Sequence, residues 1–433
     1  MTSEDAREKP VCVICMEENK QCTCVVADGS FKVKSNSSFS HSVINMIGML
    51  IGLGQLSTPY ALENGGWISV FLLVGFGIAC AYSSHIIGKC LRQNSKSNDY
   101  QDIGHHAFGK TGRVIAATFI YLEIFLSLVS YTISLNDNLA VVFSGAKGIR
   151  LSWLPIMSTT QLLTVVAVLI ALPSLWLRDL SSISFLSFGG IIMSVLIFTM
   201  VGCTAIFGAV KANHTIPPLN LHNIPAVSGL YIFGFTGHIV FPNIYKSMKD
   251  PSRFTAVSIT SFAIVTTLYT AMAFMGAKFF GPNVDSQITL SMPPHILFTK
   301  IALWATVLTP MTKYALEFAP FAMKLEHSLP ESMSSQMRLL IRGCLGSSLL
   351  ILVLALALSI PYFEHVLGLT GSLLSIGICV VLPSIFYMKI CRKEMTKMTF
   401  VLNGGVTAVG IVLAVVGTIS SSRSLITTIG ENH

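Results

Sequence analysis

Charge is what this 433-residue sequence has least of: Asp, Glu, Lys and Arg make up 11% of it, where a soluble domain carries about 25%. With 52% hydrophobic residues, that scarcity excludes an ordinary soluble domain and points to a polytopic membrane chain. Catalytic signatures are missing too. The apolar segments hold no HExxH and no paired aspartates, which argues against an intramembrane enzyme. A disulfide framework is also missing, because Cys80, Cys90, Cys203, Cys344, Cys379 and Cys391 are scattered in or near apolar runs. No signal peptide is expected, since the first apolar run follows a mixed-charge stretch and is too long for an h-region.

What is present is a series of apolar runs of about 20 residues, the length that crosses a bilayer as a helix. They fall at about 41–62, 67–88, 114–136, 158–177, 183–208, 226–245, 255–277, 296–322, 341–360, 364–387 and 399–418. The fold class is therefore all-α, with eleven transmembrane spans in one domain over 39–420. A tail at 1–38 is expected to lack structure, and a short C-terminal tail covers 421–433. If the N-terminus is cytoplasmic, 21 of the 28 Lys and Arg residues lie on the cytoplasmic side and six on the other, with Lys313 inside span 8. This distribution predicts a cytoplasmic N-terminus and a lumenal or extracellular C-terminus. The net charge of +8 is then a topology signal, and no nucleic acid is expected as a partner. Asn213 opens a sequon on the non-cytoplasmic side and is a candidate glycosylation site, whereas the sequon at Asn36 would be cytoplasmic and unused.

Span 1 begins in NMIGMLIGLGQLSTPYALENGGW (45–67), where Gly48, Gly52, Gly54 and Pro59 interrupt an apolar run. Span 6, SGLYIFGFTGHIVFPNIYKSM (228–248), repeats the pattern: Gly54-Gln55-x-x-x-Pro59 matches Gly237-His238-x-x-x-Pro242, 183 residues later. Two Gly/Pro-interrupted spans, each opening a five-helix half, point to an inverted-repeat transporter with broken helices 1 and 6. The repeats would cover about 40–208 and 224–387, with span 11 added. Packing would explain either motif alone, since Gly48-x-x-x-Gly52 is also a small-xxx-small contact. An unwound turn at mid-membrane frees backbone N–H groups to bind a carboxylate, and frees carbonyls to hold an ammonium or a cation. An amino acid carries both charges. The candidate substrate-binding residues are Ile51, Gly52, Leu53, Gly54, Gln55, Phe235, Thr236, Gly237 and His238 at the breaks, with Tyr121 and Tyr314 as pocket walls.

In span 3, Glu123, Ser127, Ser130, Ser134 and Asp137 recur at spacings of 4, 3, 4 and 3, which makes one polar stripe on an apolar helix. A charge at this depth costs at least about 2.5–3.5 kcal/mol, so Glu123 should face a wet cavity or a partner, and it is the candidate proton-coupling carboxylate. A buried Glu that only bonds a neighbouring helix is the alternative. Span 8 carries Thr309, Thr312 and Lys313 in its middle. Lys313 should meet Glu123, Glu317 or the carbonyls of broken span 1, as a fixed ammonium in place of a bound cation. His238 could relay protons or serve as a wall residue. In the tail, Cys12, Cys15, Cys22 and Cys24 form CxxC-x6-CxC, a weak candidate zinc site. The opening is RING-like, but the further ligands of a RING are missing.

In order, the segments GLGQLSTPYALENGGW, YLEIFLSLVSYTISLNDN, YIFGFTGHIVFPNIYKSM, TPMTKYAL and VVLPSIFYMK resemble the amino acid/auxin permease family. The likeness is greatest to its plant vacuolar amino-acid transporter subgroup, related to the vesicular inhibitory amino acid transporters. The resemblance covers roughly 38–418. It implies a LeuT-like five-plus-five inverted-repeat fold, secondary transport of amino acids usually coupled to protons, and a vacuolar membrane, with the plasma membrane as the alternative. It also implies that the Leu53 and Gly54 amides receive the substrate carboxylate. No cofactor is expected; a proton gradient would supply the energy, with sodium as the alternative. The partners are an amino acid and the lipid bilayer, and nothing demands more than a monomer. A passive facilitator or exchanger, or an amino-acid-sensing transceptor, would share these motifs.

Overall fold

A computed structural model of the chain describes residues 24–27, 30–33, 37–94, 97–144, 158–172, 180–207, 214–330 and 333–431. Asn36, Asn213 and the tail cysteines Cys12, Cys15 and Cys22 lie outside these residues. Cys24 opens β1 (Cys24–Ala27), which pairs antiparallel with β2 (Ser30–Val33). This hairpin departs from the structureless tail expected from the sequence. Its strands read CVVA and SFKV, and their valines and Phe31 favour extended backbone.

Span 1 is two helices, α1 (Phe39–Leu50) and α2 (Gly54–Gly65), bent by 58° at the junction. The Ser38 hydroxyl starts α1 by accepting from the His41 N–H at 3.3 Å. Next come α3 (Val70–Gln93), α4 (Tyr100–Val142), α5 (Thr159–Ala171) and α6 (Leu180–Phe207). Span 6 is again two pieces, α7 (Ile224–Phe233) and α8 (Phe241–Ser247). The chain continues through α9 (Phe254–Phe280), α10 (Ile288–Ser291), α11 (Leu297–Ser328) and α12 (Ser335–Ser359). α13 (Phe363–Thr370) runs through two π-helical segments, Gly371–Ser375 and Gly377–Val381, into α14 (Leu382–Ile390). α15 (Lys397–Glu431) ends the described chain.

Among the described residues, seven helices are long and apolar enough to cross a membrane, or eight if the bent α1–α2 pair counts as one span. Eleven spans were expected. Those that do not reach the mark are span 4, whose described helix is only Thr159–Ala171; span 6, which is split; and span 8, which carries Lys300, Lys313 and Glu317. Two boundaries also move. α4 starts before span 3, with a kink at Phe108–Gly109 where Gly109 takes φ 61°, a conformation that glycine adopts freely. α15 runs past residue 418 to Glu431, so most of the expected C-terminal tail is helical.

The packing places the two interrupted spans at the centre. α9 lies against α1, α2 and α3; α11 lies against α6 and α4; α7 is flanked by α2, α13 and α15. Phe363–Ile390 is the most enclosed of the apolar spans and Lys397–Glu431 the least, so α15 turns Val401, Val409 and Val412 outward. α7 and the Phe363–Ile390 span meet backbone to backbone, since a Cβ at Gly371 would run into Gly229. Contact through small residues is how helices associate where lipid removes the hydrophobic drive.

Candidate functional site

The break in span 1 follows from its sequence. Ile51 N–H closes the last turn of α1 on the Ile47 carbonyl at 2.8 Å, and the next bonds are the short Gln55 N–H to Gly52 at 3.3 Å and Leu56 N–H to Leu53 at 3.0 Å. Among the described residues, no backbone carbonyl accepts from the N–H groups of Gly52 or Leu53. The carbonyls that α1 leaves behind are taken up by side chains. Lys313 Nζ donates to the Gly48 carbonyl at 3.0 Å, and the Tyr269 hydroxyl lies 2.8 Å from that of Leu50. Lys313, 2% exposed, thus puts a positive charge at the negative end of the α1 dipole. Of the sequence-predicted residues here, Ile51, Leu53, Gly54 and Gln55 are buried and Gly52 is half-buried. Gln55 Nε2 donates to the Ser194 carbonyl of α6 at 3.3 Å.

The second break is longer. Between Phe233 and Phe241 only short bonds form, such as Phe235 N–H to Ile232 at 3.0 Å and Val240 N–H to Gly237 at 3.1 Å. Gly237, His238 and Ile239 donate their N–H groups to no backbone carbonyl among the described residues. His238 is fully buried, with Nε2 at 2.7 Å from Ser83 Oγ and 3.2 Å from the Cys80 carbonyl.

The two breaks touch. A Cβ on Gly54 would run into the Gly234 backbone, so only glycine allows the approach. The Tyr269 hydroxyl, already near Leu50, also lies 3.0 Å from the Gly234 carbonyl, so one phenol spans both breaks. Tyr131 stands at the mouth of the first, where a Cβ on Gly52 would come within 3.0 Å of its hydroxyl. Neither tyrosine was singled out in the sequence. The signal for Tyr131 was its place beside the polar stripe of span 3, whereas Tyr269 gave none.

Tyr121 sits elsewhere, and the other predicted residues have partners of their own. Tyr121 is not at the breaks: its hydroxyl accepts from Gln101 Nε2 at 3.2 Å and its ring meets Phe321 edge-on at 5.6 Å. Phe235 belongs to the core, packed on Tyr269 and Phe262. The Tyr314 hydroxyl pairs with Thr132 Oγ1 at 2.9 Å. Thr236 is half-buried, its hydroxyl donating to the Ile232 carbonyl at 3.4 Å. Thr309 and Thr312 donate to carbonyls of their own helix, and Gly190 leaves room for Thr312 and Lys313. Glu123 is 4% exposed and accepts from Ser127 Oγ at 3.0 Å, within electrostatic reach of Glu317, which in turn reaches Lys313. The far end of the stripe is closed by Gln287. It donates to Asp137 Oδ2 at 2.9 Å, while Ser134 and Asn138 donate to its carbonyl oxygen. A groove of about 1000 Å³ between α3 and α9, lined by Ile78, Tyr82, Ile259 and Phe274, holds none of the predicted site residues.

The profile of the family described as "Transmembrane amino acid transporter protein" matches residues 35–423. The chain is a member of that family. It is 60% identical to the amino acid transporter AVT1H of Arabidopsis thaliana over 98% of this chain and 99% of that one. Identity to Arabidopsis AVT1B is 36%, covering 98% and 78% of the two chains. To the vesicular GABA transporter of Caenorhabditis elegans it is 23%, covering 93% and 83%. Among solved structures, inward-facing Mhp1 aligns with a TM-score of 0.52 at 13% identity over 92% of each chain. MhsT in complex with L-phenylalanine aligns with a TM-score of 0.53 at 14% identity over 88% of this chain and 98% of that one. These likenesses show the fold, that of the LeuT-like transporters. The transporter is thus a multi-pass membrane protein of a non-enzyme class, and family and fold together support amino acid transport.

Proposed function

We propose that this protein is a secondary active transporter of amino acids, driven by protons, that works by alternating access around its two helix breaks. The observation that carries this reading is the contact of the breaks at Gly54 and Gly234, with N–H groups on both sides that no backbone carbonyl among the described residues takes up, that of Gly52 meeting the Tyr269 hydroxyl instead. Bare N–H groups suit a carboxylate, so Leu53 and Gly54 of the first break would hold the substrate's acid group, with Gly237 and His238 facing it from the second. Glu123 is the proton-coupling group, because it is a carboxyl buried at mid-span whose polar stripe continues through Ser127 towards Ser134. Lys313 Nζ stands beside the first break on the Gly48 carbonyl, in the place a bound cation would take. In this reading the chain crosses the membrane eleven times, 40–208 and 224–387 are inverted repeats, the N-terminus is cytoplasmic and the membrane is vacuolar.

One pH unit supplies about 1.4 kcal/mol, enough for a roughly tenfold substrate gradient. The test is uptake by the purified chain in proteoliposomes given all common amino acids and a pH step, read by mass. At least one amino acid should accumulate about tenfold above equilibrium per pH unit. Glu123→Gln should abolish that accumulation while substrate exchange continues. A Glu123→Gln chain that concentrates substrate like the parent removes Glu123 from the coupling. Equilibration without accumulation identifies a facilitator, and saturable binding without flux a transceptor.

A further inference from the structure

Beside the second break, three groups that ligate soft metals converge from separate elements. The sulfurs of Cys80 on α3 and Cys379 in the second π-helical segment, and a ring nitrogen of His238, all lie within 4.8 Å of one another. All three residues are fully enclosed. From these contacts we propose that Cys80, His238 and Cys379 form a Cys2His site for zinc or a chemically similar thiophilic divalent cation.

The imidazole is already set for the task. A carbonyl can only accept, so His238 Nε2, placed between the Cys80 carbonyl and Ser83 Oγ, carries the ring proton. Metal-ligating histidines are oriented this way, with the second nitrogen donating to a backbone carbonyl. Nδ1 then holds a lone pair that finds no hydrogen-bond partner among the described residues. The ring packs on Phe241 and Phe262, and its further polar neighbour is the Cys379 thiol, which also meets the Cys80 thiol. With Zn–S bonds of about 2.3 Å, tetrahedral geometry puts two sulfurs about 3.8 Å apart, so closing the site from a 4.8 Å spread needs movements of about 1 Å. Charge also balances. Two thiolates on a divalent ion are neutral, which a buried site tolerates, and binding releases one proton from each thiol. Soft sulfur ligands exclude calcium and magnesium. A bound ion would clip α3, the second break and the Phe363–Ile390 span together.

The experiment uses the full chain in detergent with Cys12, Cys15, Cys22 and Cys24 changed to serine, so that the tail contributes no thiolate. Zinc bound after gel filtration should be one per chain, and cadmium in its place should give a thiolate charge-transfer band. The further double variant Cys80→Ser/Cys379→Ser should lose the band and bind zinc at least a hundredfold more weakly. Zinc binding that is absent from the parent, or equally tight in the double variant, overturns the site. If the double variant fails to fold, X-ray absorption on the zinc-loaded parent decides: a shell with two sulfur ligands is expected, and a shell without sulfur overturns the proposal. These readouts do not depend on whether the protein transports anything.

Discussion

The break between Leu50 and Gly54 leaves three residues outside helix, and that between Phe233 and Phe241 leaves seven. They share the Gly-x-x-x-x-Pro pattern, yet they are braced differently. The first is held by an ammonium on Gly48 and a phenol near Leu50. Among the described residues, the second is held by the same phenol near Gly234, the Thr236 hydroxyl on Ile232, and the His238 ring between Ser83 and Cys80. A bond from a charged donor is worth about 1.5–3 kcal/mol and a neutral one about 0.5–1.5 kcal/mol. The first break is therefore expected to act as the anchor, and the second, longer and held by weaker bonds, is expected to rearrange at lower cost.

The largest effect should come from the contact between the breaks. Gly54→Val would drive a side chain into the Gly234 backbone, which cannot yield as a side chain can. Uptake should fall at least a hundredfold, of the order expected from an overpacking cost of about 3 kcal/mol. Gly237→Ala tests the other side: its Cβ would meet the Leu50 Cδ2 methyl at 3.1 Å, which can turn away, so the loss should stay under tenfold. Equal losses would show that the breaks are equally tight and would end the distinction between anchor and moving part.

Next in size is Lys313→Met, which removes the ammonium and leaves the Gly48 carbonyl bare. A loss of about 1.5–3 kcal/mol translates into roughly 10- to 150-fold weaker substrate binding, read by calorimetry on the detergent-solubilised chain. If binding is unchanged, the first break is not charge-braced. Tyr269→Phe should fall between the two classes, because its hydroxyl serves both breaks. A bare carbonyl costs about 1–3 kcal/mol, and only one of the two carbonyls can hold the proton at a time. About tenfold weaker binding is expected, together with a lower unfolding midpoint.

These partners show which features are legible in the sequence. Gly52, Gly54 and Pro59, and their counterparts Gly234, Gly237 and Pro242, announce the breaks because helix-breaking is a property of the residue itself. Lys313 is legible because a charge in an apolar run needs a partner, and the carbonyls of span 1 were among those named. Tyr269 is not, since one tyrosine in an apolar helix means nothing until the fold brings it to Leu50, 219 residues away. Tyr121 was misplaced for the same reason: α4 is apolar on most of its surface, so its pattern does not reveal which side Tyr121 faces. The number of spans suffered where charge or Gly/Pro interrupts the apolar run, as in spans 6 and 8. Those interruptions carry the candidate site, so apolarity alone is least informative there.

The smallest effect expected is that of Ser83→Ala. It removes the 2.7 Å partner of His238 Nε2 but leaves the Cys80 carbonyl at 3.2 Å, so the ring keeps an acceptor and its orientation. The change is then the loss of one neutral bond with the donor still satisfied, about 0.5–1 kcal/mol, or a two- to fivefold change in substrate binding. Measured beside Lys313→Met under the same conditions, it tests the contrast between the breaks directly. If Ser83→Ala costs as much as Lys313→Met, the second break is held as firmly as the first. Its greater length would then be rigid structure, and the moving element would have to lie elsewhere in the fold.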